Sequence, residues 1–222
     1  MHYVDRGPEP TALNQYRDRY TPRWVQYYQR GRGAKPSDSH WRQFQGKLER
    51  AFSGLCAYCE SSCRGEVDHF RPKSRFPQYV YDWANWVFSC HDCNNSKGEQ
   101  WPAAGYVDPC ARKRSLWPEQ FFDFDLKTGE ITPKAGLSRK RWDKARTMID
   151  GLALNAYHHL RKRLQWISLV SEVLRFKIAD SAAYKDFVRR VSARSAQFSS
   201  ITRVLLAAAA NCGNSRDAIL DS

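Results

Sequence analysis

The order of apolar and polar positions divides the chain into regions of different period. Beyond Ser138 the pattern is helical. Tyr157, Leu160, Leu164, Ile167, Leu174 and Ile178 recur at steps of three and four, with Ser171 filling the gap. That spacing predicts one face of a long amphipathic helix, with Asn155 as its cap. Two further helices are expected around 182–195 and 199–210. Near the other end, Thr21 followed by Pro22 has the form of a helix start, and Gly31 has the form of a stop. Between them lie Trp24, Tyr27 and Tyr28 among arginines. A loop rich in glycine, proline and serine covers 31–39. Asp38 or Ser39 then caps a predicted helix that carries Trp41, Phe44, Leu48, Phe52 and Leu55 on one face and ends at Gly54.

The middle of the chain breaks the helical period. The stretches 66–70 and 86–90 read as short strands. Pro72 and Pro77 keep 71–77 in a loop, because proline removes a donor and fixes the backbone. Asn94 and Asn95 stand at the capping end of a helix that includes Lys97. The segment 101–118 is irregular, and Lys127-Thr128-Gly129 separates the two arms of a hairpin at 121–126 and 130–132. Four regions follow: an N-terminal helical region at 1–54, a small core at 55–100, an irregular connector with a hairpin at 101–136, and a C-terminal helical region at 137–222. The fold class is α+β, mostly helical. The C-terminal stripe either packs as a bundle on the core or docks a partner.

Charge and cysteine usage narrow the partners. The 222 residues carry 36 lysines and arginines against 23 aspartates and glutamates, a formal net charge of +13. With 42% hydrophobic and 14% aromatic residues, the chain is no disordered basic tail. The aliphatic run Val204 to Ala210 is far short of a membrane span, and the first residues lack a charged-then-apolar signal layout. A cytoplasmic protein with no membrane role and a polyanionic partner, most simply nucleic acid, is expected. Four of the seven cysteines form two pairs, Cys56-Ala57-Tyr58-Cys59 and Cys90-His91-Asp92-Cys93. Two such knuckles complete a tetrahedral shell for structural Zn2+. Cys63 is a rival ligand, His91 is a flanking residue, and Cys110 and Cys212 fit no second site.

Between and after the knuckles lie Asp68 and His69 on the first strand, Asn85 before the second, and Asn94 and Lys97 after Cys93. A carboxylate and an amide oxygen can hold one hard divalent cation such as Mg2+. A histidine beside them can take a proton from an attacking water, and the cation can stabilise the leaving oxygen of a phosphodiester. The set meets the minimum for one-metal phosphodiester hydrolysis.

The string Cys56-x-x-Cys59, Val67-Asp68-His69-Phe70-Arg71-Pro72-Lys73-Ser74, Asn85, Cys90-x-x-Cys93-Asn94-Asn95-Ser96-Lys97-Gly98 resembles the HNH endonucleases. The resemblance covers about a fifth of the chain. It implies a zinc-stapled ββα-metal core flanked by helices, with Mg2+ or Mn2+ for the chemistry. It makes His69 the general base, Asp68 a ligand of the catalytic cation, and Asn85 the residue that shapes the loop and holds the histidine's backbone. Asn94 becomes the second ligand, with Asn95 its rival. Arg71 and Lys73 are candidates to steer nucleic acid, and Lys97 either contacts phosphate or caps the fold. The wider layout is similar to the HNH nucleases of retron and Septu-type antiphage systems. That likeness implies a bacterial effector nuclease gated by a partner ATPase, with a retron reverse transcriptase and its RNA–DNA product as a further partner and DNA as the expected substrate. The rival reading is a non-catalytic, zinc-stabilised nucleic-acid-binding module. The basic triplets 112–114, 139–141 and 161–163 are either solvated faces or a nucleic-acid footprint. The aromatic and arginine mixture of 16–28 either packs or stacks bases.

Overall fold

A computed structural model describes residues 1–37, 40–175 and 181–220, with side chains to 210. The expected caps Asp38 and Ser39, the stripe residue Ile178 and the Cys212 side chain lie outside the described residues. The fold is α+β. The described residues form seven α-helices and two small antiparallel sheets, and among them no helix is long and apolar enough to cross a membrane.

The first helix, α1 (Leu13–Arg30), starts well before the expected Thr21-Pro22 boundary and holds Pro22 inside it. An internal proline loses one backbone bond and costs about 3 kcal/mol. The stripe Leu13, Tyr16, Tyr20, Trp24 and Tyr28 packs on the core on both sides of the proline and offsets that loss. Gly31 ends the helix as expected, in the left-handed conformation with its N–H on the Gln26 carbonyl. The next apolar face is buried throughout, at Trp41, Phe44, Leu48, Phe52 and Leu55. It is split between a 3-10 turn at Arg42–Phe44 and a short α2 (Gln45–Ala51).

The strands β1 (Glu66–His69) and β2 (Trp86–Ser89) pair antiparallel, with Asp68 opposite Val87 and His69 opposite Trp86. Gly65 is required there by close approach, since a Cβ would lie 2.6 Å from the Phe88 ring. The following α3 (His91–Lys97) opens at the second knuckle and not at Asn94. Cys90 takes the extended cap position, and the Asn94 N–H donates to its carbonyl at 3.0 Å. The hairpin is β3 (Phe122–Phe124) with β4 (Ile131–Pro133).

Four helices complete the chain: α4 (Arg139–Gly151), α5 (Tyr157–Arg175), α6 (Ala182–Ser192) and α7 (Ser199–Leu220). The long helix was legible, but its buried face is not the apolar series. Tyr157 is 74% exposed and Leu164 is exposed, whereas His159, Arg163, Ile167 and Val170 are buried. Asn155 does not cap α5. Its amide accepts from Ile131 N–H and donates to Ile131 C=O, both at 2.9 Å, and so serves as an extra strand partner of β4.

Two apolar clusters result. The larger joins α1, α2, both strands of the first sheet, α4 and the knuckles. The smaller comprises Ile167, Val170, Phe198, Ile201 and Leu205, with Phe124 packed against both.

Candidate active site and metal centre

The two knuckles converge. Cys56 and Cys59 lie in the turn after α2, and Cys90 and Cys93 lie at the start of α3. The Ala57 N–H donates to the Phe88 carbonyl at 2.8 Å, which ties the first knuckle to β2. All four Sγ atoms lie within 4.8 Å of one another. Thiolates about 2.3 Å from one Zn2+ stand about 3.8 Å apart at the corners of a tetrahedron. Cys59 and Cys90 Sγ are 3.8 Å apart. The donor set therefore fits zinc. Cys63 is outside this group, half-buried, with its thiol pushed up to about 12 by burial and then by Cys90 and Cys59. His91 points away, 80% exposed and 3.4 Å from Glu66, as a flanking residue does.

Beside the cluster, a cavity of about 190 Å³ is lined by Trp41, Glu66, Asp68, His69, Lys73 and Asn94, among others. β1 presents Asp68 and His69, and α3 presents Asn94. Asn95, one residue on along the helix, is exposed and does not line this cavity.

The His69 ring is oriented by the backbone. Its Nε2 is 2.9 Å from the Val80 carbonyl. A carbonyl only accepts, so Nε2 carries the hydrogen and Nδ1 keeps the lone pair. Trp41 packs edge-on at 4.8 Å and Trp86 at 6.2 Å. Burial, then the charge of Lys73, pulls the imidazole down to about 3 against the Val80 hydrogen bond, with Lys97 adding to the depression. The ring is neutral at pH 7.

Asp68 is 3% exposed and held on both oxygens. Oδ1 takes the Lys97 ammonium at 2.7 Å and Oδ2 takes the Tyr58 hydroxyl at 2.6 Å. A carboxylate offers roughly four lone-pair directions, so about two remain for a cation. Lys97 is 1% exposed, and its ammonium also donates to the His69 carbonyl at 2.9 Å. This placement commits the Lys97 ammonium to Asp68 and the strand backbone, which favours the fold-capping one of its two expected roles. Tyr58, inside the first knuckle, was not singled out from sequence, because nothing local marks its hydroxyl for a carboxylate ten residues away.

Asn85 is buried and acts on the chain after the histidine. Its Oδ1 accepts from Arg71 N–H at 2.8 Å, and its Nδ2 donates to the Arg71 and Tyr79 carbonyls. Its own carbonyl accepts the Phe70 N–H at 2.8 Å. These bonds fall on residues 70, 71 and 79 and not on His69 itself. Lys73 lies over Trp41 at 5.5 Å within the cavity wall, while Arg71 is exposed and lies over Tyr79. A second residue missed from sequence is His159 on α5, with Nε2 3.6 Å from Cys93 Sγ. It occupies a helix position that periodicity leaves between the apolar residues.

Comparison with known proteins agrees with this geometry. Residues 56–100 match the family model of the HNH endonuclease. A Septu protein PtuB of Bacillus thuringiensis is 44% identical over 50 residues, 19% of this chain and 19% of that protein. A Septu protein PtuB of Bacillus mycoides (strain KBAB4) is 35% identical over 66 residues, 22% of each. The chain thus spans about a fifth of the length of these relatives. The four cysteines and Asp68, His69 and Asn94 all fall inside the HNH endonuclease domain matched at residues 56–100, while Trp41 in the cavity wall lies before it.

Proposed function

We propose that this chain is a metal-dependent endonuclease that hydrolyses phosphodiester bonds, with DNA as substrate, and that it is the effector nuclease of a Septu-type antiphage system. The observation that carries the reading is the shared cavity, in which a carboxylate, an amide oxygen and a tautomer-locked, neutral histidine face one space. Asp68 and Asn94 would hold Mg2+ or Mn2+, which supplies Lewis-acid stabilisation of the departing oxygen. His69 Nδ1 takes the proton of the attacking water, while the Val80 carbonyl keeps the ring in the required orientation. Tyr58 and Lys97 fix the Asp68 carboxylate, and Asn85 fixes the backbone that leaves β1. Lys73 offers positive charge to phosphate from the cavity wall, and Arg71 does so from the surface outside it. The four cysteines hold structural zinc that closes the base of the site.

Similarity to the Septu PtuB proteins supports the Septu-type antiphage setting. A nuclease with general phosphate contacts endangers its host, which motivates gating by a partner ATPase. The test is cleavage of supercoiled plasmid by wild type beside His69→Ala with magnesium, manganese or EDTA, alone and with the proteins encoded next to it. Metal-dependent nicking by wild type, reduced about 10²–10⁴-fold in His69→Ala, is the expected result. Equal activity in the variant removes His69 from the base role. A folded, zinc-loaded chain that binds DNA but never cuts it under any of these conditions is the non-catalytic binding module instead.

A further inference from the structure

The proposed reaction leaves unused a pair of buried polar side chains on α5. His159 and Arg163 stand one helical turn apart, 2% and 1% exposed. Arg163 is a buried cation bound only to neutral acceptors. Its Nε donates to the Gly129 carbonyl, and its Nη2 donates to the Leu154 carbonyl at 2.7 Å and to Asn155 Oδ1 at 3.1 Å. Nη1 is buried with no hydrogen-bond partner. Among the described residues no carboxylate lies within ion-pair distance of it. A buried charge of this kind needs an opposite charge nearby. Burial pulls the guanidinium down to about 10, and Arg163 stands on α5 one turn beyond His159, whose ring reaches Cys93.

His159 points at the same cluster. With zinc bound Cys93 is a thiolate, which only accepts, so at 3.6 Å from its Sγ the Nε2 atom then carries the hydrogen. Nδ1 is then the lone-pair nitrogen, and it is the atom left buried without a partner. Four thiolates around one Zn2+ carry a net charge of about −2, and such centres are tuned by donors outside the ligand set. Further contacts join the knuckles to the C-terminal region: His158 Nε2 lies 3.6 Å from Asp92 Oδ2, and the Glu60 carboxylate accepts from the Ser200 N–H at 3.0 Å.

We propose that α5 supplies the charge-balancing outer layer of the zinc centre, His159 through an N–H···S bond to Cys93 and Arg163 through its buried positive charge. Metal loading and docking of the C-terminal helices on the nuclease domain are then one event. Zinc loss strands Arg163 without its counter-charge and releases α5. The inference rests on the zinc assignment above and is independent of the cleavage chemistry.

The experiment uses the full chain and two readouts: the rate of zinc transfer to a chromogenic chelator, and hydrogen exchange of α5 amides before and after chelation. His159→Leu and Arg163→Met keep bulk and remove donor or charge; His159→Gln and Arg163→Lys restore a donor or the charge. Zinc transfer about 10–100-fold faster in the apolar variants, with most of the loss recovered in Gln and Lys, is expected. In wild type, α5 protection should vanish together with that of the knuckles when zinc is removed. Unchanged transfer rates in Leu and Met overturn the proposal, as do Gln and Lys variants as impaired as the apolar ones. If Arg163→Met does not fold, the wild-type arm decides: α5 that stays protected after complete zinc removal overturns the coupling. A wild-type chain that takes up no zinc overturns the zinc assignment itself, a different failure from zinc held but indifferent to α5.

Discussion

The nuclease domain and the helices beyond residue 156 are stabilised in opposite ways. The domain is assembled from two four-residue strands and a seven-residue helix, none long enough to persist alone. Four cysteines, the Tyr58–Asp68–Lys97 chain and the Asn85 bonds hold these pieces together. In the C-terminal region α5 has 19 residues and α7 has 22, long enough for helical propensity to contribute, and Ile167, Val170, Ile201 and Leu205 join them in one apolar cluster. Their shared cluster is small and aliphatic apart from Phe198. Where a few directional contacts hold short elements, losing one contact loses the whole; where apolar area holds long ones, losses are graded.

The largest expected effect tests the first half of that contrast. Structural zinc sites contribute on the order of 10 kcal/mol to folding, so Cys59→Ser should yield insoluble or unfolded protein without zinc. A soluble, well-folded, zinc-free variant would show that apolar packing alone suffices for the domain. The graded side is probed by Ile201→Ala, which empties a fully buried position of the smaller cluster at an expected cost of about 2–5 kcal/mol. Denaturant titration should register that loss while zinc content stays at the wild-type level; loss of zinc in this variant would erase the distinction between the two regions.

The smallest effect is a pH dependence confined to the domain. The His69 imidazole is held near 3 in the folded chain, below its unfolded value of 6.5. Below pH 6.5 the unfolded chain binds a proton that the folded one does not, so stability falls as pH falls from that value towards 3. Between pH 7 and 5.5 this one group should cost about 1 kcal/mol. Comparing denaturation of wild type and His69→Ala across that range isolates it; an identical slope in both would mean the ring is not held neutral.

Much of the domain was legible because its chemistry is written at short spacing. Each Cys-x-x-Cys pair places two thiols on one turn, and Asp68-His69 places a carboxylate and an imidazole on adjacent strand positions. The knuckles, the two strands and the hairpin sit where local pattern put them. Three features were not legible for one shared reason. The start of α1, the face of α5 and the partners of Lys97 all depend on what a side chain meets across the fold. Pro22 reads as a boundary until Leu13, Tyr16 and Tyr20 are seen packed on the core. Lys97 reads equally as a phosphate ligand or a cap of the fold until its ammonium is found on Asp68.

By itself, then, the sequence determined the helical and strand periods, the spacing of the four clustered cysteines and the order of Asp68, His69, Asn85 and Asn94. All of these are properties of neighbours within a turn or a strand. The tertiary structure decided which atoms those residues meet. Lys97 reaches Asp68 across 29 positions and His159 reaches Cys93 across 66. Contacts at such separations are set by how helices and strands pack, and a buried charge finds its counter-charge only when that packing is complete.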